Sequence, residues 1–197
     1  GGDAVLGSVN SATNISALLL GSFTAGDVNA DTAGQGEVDI SADNGIELAN
    51  VAGNDIFLTA TTGLVNVTND VAVTNAIMAS GEAVSIVTQQ DMTVSAEATN
   101  GNVDLTSAAG LAIQDAQASG DISMSAANDV RINGLVSADN QLLITAGSLI
   151  DIQAATVGGT IRTVSADMNI GSTGALGESA TTSDIEISSD GTTQMML

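Results

Sequence analysis

Twenty-three aspartates and glutamates stand against two arginines, Arg131 and Arg162, so any chemistry this chain performs must be carboxylate chemistry. Carboxylates support two kinds of work. Paired across a groove they hydrolyse glycosidic bonds, one as acid and the other as base or nucleophile. Gathered with loop carbonyls they bind Ca2+. The usual companions of the first use are missing. Sugar subsites draw on aromatic platforms, acidic substrates on Lys or Arg, and proton transfer at neutral pH most often on His. This chain has no Trp, Tyr, His or Lys and only two Phe. The expectation is therefore no enzymatic activity, with no catalytic, cofactor-binding or metal-ligating residue assigned. Ca2+ is the one cofactor with a compositional argument. Neither the GGxGxDxUx nonapeptide nor the EF-hand spacing is present, and Asp43-Asn44-Gly45 and Asp139-Asn140 read first as turn residues. The sequons Asn14-Ile15-Ser16 and Asn66-Val67-Thr68 read as chance matches in a chain rich in Asn, Ser and Thr.

A formal charge of −21 argues against nucleic acid and against anionic membranes, both of which need a basic footprint. It suits a soluble, mutually repelling, extracellular protein. No apolar run approaches the ~20 residues needed to span a bilayer, so no membrane insertion is expected. The absence of Cys excludes a disulfide scaffold and leaves the compartment open. The Gly-Gly start is neither an initiator nor a signal peptide, so the chain reads as a piece of a longer polypeptide.

The elements that would carry these residues follow from residues 101–134. Val103 and Leu105 are followed, eight residues after Val103, by Leu111 and Ile113; nineteen residues on, Ile122 and Met124 are followed by Val130 and Ile132. Apolar residues alternating with small or polar ones are strands with one buried face, and a fixed period of this length marks stacked coils. The offset of eight recurs at Val38/Ile46, Ile56/Leu64, Val84/Met92 and Leu142/Ile150. With the apolar set drawn from Ala, Val, Ile, Leu and Met, the interior must be narrow. The pattern predicts an all-β parallel β-helix, a β-solenoid of roughly eight or nine coils and a rod of about 40 Å.

Three segments are expected: 1–35, an irregular N-terminal coil or a cap or assembly segment; 36–170, the regular solenoid; and 171–197, a bulge and a C-terminal coil or donated strand. Leu18, Leu20 and Val28 fit a first coil ahead of Val38. Twenty-eight residues separate Ile56 from Val84, which predicts an extra strand or loop at 66–77; twenty-four separate Ile161 from Ile185, which predicts a bulge at 171–182. Ser41, Thr59, Thr106, Ser125 and Thr145 predict an inward ladder of hydroxyls. Outward columns are expected to run Asp39, Phe57, Ser85, Asp104, Ser123, Leu143, and Glu47, Val65, Thr93, Ala112, Arg131, Asp151, with Arg131 beside Asp151.

The pattern G-[DN]-[VI]-x-[LM]-[ST]-[AS], at residues 101–107 and 120–126, resembles the repeats of the filamentous haemagglutinin family across roughly residues 36–170. The resemblance implies a right-handed parallel β-helix in a secreted bacterial adhesin or exoprotein at the cell surface. That family's amino-terminal secretion domain is not recognisable here.

Open solenoid ends expose unpaired backbone, and no polar cap follows Met195 and Leu197. The expected function is thus structural or adhesive. The partner is a second copy added end to end in a surface filament, and host or neighbouring-cell surfaces are further candidates. The alternative is a passenger fragment of one long adhesin. Ice binding ranks lower, because the best hydroxyl column is expected to face inward.

Overall fold

The computed structural model describes residues 2–30, 36–157, 160–164, 167–170 and 185–188, with side chains as far as residue 152. Its strands are β1 (Ala4–Ser11), β2 (Ile15–Leu19), β3 (Ser22–Ala30), β4 (Val38–Ala42), β5 (Gly45–Ala60), β6 (Val65–Gly81), β7 (Val84–Thr88), β8 (Met92–Ala98) and β9 (Val103–Ser107). They continue as β10 (Leu111–Ala118), β11 (Ile122–Ala126), β12 (Val130–Ala138), β13 (Gln141–Ala146), β14 (Leu149–Val157), β15 (Thr160–Val164), β16 (Asp167–Ile170) and β17 (Ile185–Ser188). Every pairing is parallel, and the whole is a β-solenoid of about eight turns of ~19 residues.

Two long ladders run along the rod. In one, Phe23, Ile46, Val65, Val84, Val103, Ile122 and Leu142 lie one above another. In the other the column is Ile15, Val38, Ile56, Ile77, Val94, Ile113, Ile132 and Ile152. Both columns point inward and are buried, because a strand alternates its side chains and each inward residue meets a similar one in the next turn. The core is aliphatic apart from Phe23. Its buried polar side chains, Thr88 and Ser107, sit at one corner. Thr88 Oγ1 donates to the Val71 carbonyl at 2.8 Å, and Ser107 Oγ donates to the Gln90 carbonyl at 2.8 Å. Among the described residues no buried side-chain polar atom lacks a partner.

The repeat is phased differently from the sequence expectation in its first half. Val38 and Ile56 do not share a column with Val84; that column continues upward through Val65 and Ile46. The gap of twenty-eight residues therefore needs no insertion. Residues 66–77 are part of the continuous strand β6, whose first half pairs with β7 and whose second half pairs with β8. Residues 4–30, read as irregular, form β1 to β3 in parallel register with the coils that follow. There the inward residues are Ile15 and Ala17, whereas Leu18 and Leu20 face solvent. The expected bulge at 171–182 and the final apolar residues lie outside the described residues. Between them β17 pairs with β15.

The hydroxyl ladder is also turned over. Thr106, Ser125 and Thr145 stack in register but face outward. A residue three places after an inward strand start lies on the opposite face, so Ser107, Ala126 and Ala146 point inward instead. That outward column is interrupted by Val87, and the column beside it holds Ser85, Asp104, Ser123 and Leu143, so no flat hydroxyl array results.

Stacking at this spacing constrains side-chain size at the bends. A Cβ on Gly134 would run into the carbonyl oxygen of Gln114 in the turn above. Gly134→Ala should therefore destabilise the fold, although alanine for glycine at a tolerant site stabilises by about 0.4–1 kcal/mol. Ile113→Ala, in a fully buried column, should cost roughly 2–5 kcal/mol. Denaturant unfolding of the two variants checks both, and a gain in stability for Gly134→Ala would contradict the close approach.

Candidate functional site

The outer surface is built from side chains that the strand period sends away from the core. The first expected outward column divides into two. Asp39 and Phe57 share the ladder of β4, β5 and β6, where the next residue is Met78; Ser85, Asp104, Ser123 and Leu143 share the ladder of β7, β9, β11 and β13. In the second expected column Thr93, Ala112, Arg131 and Asp151 do lie in register, but Glu47 pairs with Asn66 and Val65 is buried. Arg131 turns to Asp129, at 3.0 Å, rather than to its register partner Asp151. The pair is substantially exposed, so its contribution is on the order of 0–1 kcal/mol.

The turn residues are held by the coil above. Asp43 and Asn44 N–H groups donate to the Leu19 and Gly21 carbonyls at 3.2 Å, and Gly45 has a φ of 150°, which side-chain-bearing residues avoid. Asp139 and Asn140 donate likewise to Ala118 and Gly120, at 3.1 and 3.2 Å. Among the described residues no three acidic side chains lie close enough to share a metal ion. Of the two sequon asparagines, Asn14 is engaged, its Oδ1 accepting the Glu37 N–H at 3.0 Å.

Sequence reasoning missed the amide ladders. Asn29 Nδ2 donates to Asn10 Oδ1 at 2.9 Å, Asn50 to Asp27 at 2.6 Å, Asn69 to Asn50 at 2.7 Å and Asn75 to Asp55 at 2.6 Å. An amide above a carboxylate offers a donor where a second carboxylate would repel. The signal was available: these partners are 19, 23, 19 and 20 residues apart.

Among the described residues Asp104 has no such amide partner. Partial burial, and then the charge of Asp121, push its carboxyl above the ordinary value of 3.8.

Several grooves indent the described surface, two of them on the faces that carry Arg131 and Phe57. One, of about 600 Å3, lies beside Val73, Met92 and the Arg131–Asp129 pair. The other, of about 370 Å3, crosses the outer face of β5, β6, β8 and β10 and has Phe57 and Met78 at one end and Glu97 and Asp115 at the other. Its surface is low beyond Met78 because the next residue of that outward column, Ser95, is small.

Comparison of the chain with known protein families, with curated proteins and with solved structures finds no match. Function must therefore be argued from the surfaces themselves.

The Asp104 carboxyl binds its proton more tightly in the folded protein than in the unfolded chain, so its ionisation opposes folding. Its contribution is most favourable below the unfolded value and is lost as pH rises through the raised folded one. Asp104→Asn should consequently be at least as stable as the parent at neutral pH, and the parent should recover relative to it as the pH is lowered through the carboxylate range. Paired thermal melts from acid to neutral pH read this difference; an Asn variant that loses stability only at neutral pH would reverse the sign.

Proposed function

We propose that the protein is a structural, adhesive rod of the cell surface that lengthens by adding a further coil at its β1 end, with a second copy of the chain as the donor. The observation that supports this reading is an open core. Leu6 belongs to an inward column, yet it is 43% exposed, while Ala25 and Leu48 below it are 4% and 0% exposed. The strands of this first coil, β1 and β2, each pair on one side only, with β3 and β4, among the described residues. A parallel edge over an apolar interior is a template for a further coil, supplied by a second copy or by the same polypeptide. The family resemblance of the repeats favours an extracellular setting and the same elongated shape.

Charge sets the conditions. Two bodies carrying −21 each repel one another, and salt shortens the range of that repulsion to about 8 Å at 0.15 M. End-to-end association should strengthen with ionic strength.

Leu6→Glu tests the reading, since a carboxylate at the open end is solvated in the single rod but would be buried by an added coil. Sedimentation velocity and electron microscopy at rising salt should show rods lengthening by whole units for the parent and remaining single for the variant. Equal assembly of both, or single rods of the parent under all conditions, overturns the proposal. A native polypeptide that is one long rod without junctions favours the passenger-fragment alternative.

A further inference from the structure

We infer that the groove at Phe57 is a binding site for a small organic cation with an apolar body, an ammonium or guanidinium joined to a ring or alkyl chain. Register brings the parts together. Phe57 lies beside Met78, Met78 beside Ser95, and Ser95 beside Asp115. Three rung spacings separate Phe57 from Asp115, about 14 Å. The adjacent column places Glu97 beside Ser80. The groove is therefore graded along the rod, apolar on the rungs of Phe57 and Met78 and acidic on the next two, with Glu97 on the Ser95 rung and Asp115 on the last; Asp39 stands one rung beyond Phe57, outside the lining.

The two ends differ from the rest of the surface in ways that select a ligand. Phe23 is buried, so Phe57 supplies the aromatic ring of the outer surface in a chain without Trp or Tyr. Met78 beside it is 46% exposed. Both are soft groups that attract a cation or a second ring. At the far end Asp115 accepts the Leu135 N–H on Oδ1, at 3.2 Å, and among the described residues its Oδ2 has no hydrogen bond. Neither Lys nor Arg lines the groove, and Arg131, in the other groove, is engaged by Asp129.

Charge complementarity then excludes the other occupants. An anion meets two carboxylates and the field of the whole chain. A neutral apolar molecule would cover carboxylates without replacing their hydration. A bare metal ion would need converging oxygens and would leave Phe57 and Met78 unused. An apolar cation satisfies both ends, and a volume of about 370 Å3 falls within the range of small-molecule sites.

Protonated 4-phenylbutylamine, with 4-phenylbutanol as its neutral counterpart, tests the inference by NMR titration of the Met78 methyl and Phe57 ring signals. The amine should shift these signals saturably and the alcohol should not. The double variant Glu97→Gln with Asp115→Asn should raise the dissociation constant about tenfold over a charge-matched control, Glu47→Gln with Asp139→Asn, on other surfaces. Phe57→Leu, which keeps apolar area and removes the ring, should weaken binding roughly threefold. Every substitution replaces an outward side chain, and circular dichroism verifies that each variant retains its strands. Absence of saturable binding, equal binding of the alcohol, or equal weakening in the control overturns the site.

Discussion

Between the end coils, the strand residues of the described solenoid have neighbours above and below at the spacing of one parallel β-rung, about 4.8 Å, interrupted only at bulges, and the rest of the structure obeys that constraint. Backbone hydrogen bonds run from turn to turn even at the corners. The Val84 N–H reaches the Asn102 carbonyl at 3.0 Å, and the Leu111 N–H reaches that of Asp129 at 2.8 Å. An inward residue can consequently be no larger than its rung allows, and the columns settle mainly on Val, Ile, Leu and Ala, with Phe23, Met92 and Met124 as the exceptions. Outward residues face the same rule in electrostatic form. Asp104 stands between Ser85 and Ser123, and Asp27 lies under Asn50, because identical carboxylates on successive rungs would repel.

A stack of this kind is closed around its sides and open along its axis. Lateral surfaces present side chains, which can be charged at little cost, and here they carry a strongly acidic coat. The axial end presents unpaired backbone and the cross-section of the core, which charge cannot cover without loss of the stacking register. Leu6 shows the difference: it is half-exposed although it belongs to a core column.

The outer face of β5, β6, β8 and β10 departs from the acidic coat because two apolar side chains follow one another in register. Phe57 and Met78 come from strands 21 residues apart in the chain and adjacent in space. The column has no large residue in the turn after Met78, where Ser95 leaves the surface low. A groove is the geometric result of large residues ending and small ones beginning in one column.

The sequence by itself determined the parallel all-β class, the coil of ~19 residues, the aliphatic interior and the pairing of Thr93, Ala112, Arg131 and Asp151. These depend on spacing within one regular stretch, and from Val84 onward the spacing is nearly constant. It did not determine the phase of the first half, because Val38, Ile46, Ile56 and Val65 are all inward and apolar, and only the pairing of whole strands decides which of them lies over which. The reversed hydroxyl ladder was legible from strand alternation alone, since an odd offset from Val103 must reach the other face. The groove and the amide ladders were decided by tertiary structure. They require residues about one turn apart to meet at particular rungs, and coil lengths that vary from turn to turn leave that meeting undefined until the backbone ladder fixes it.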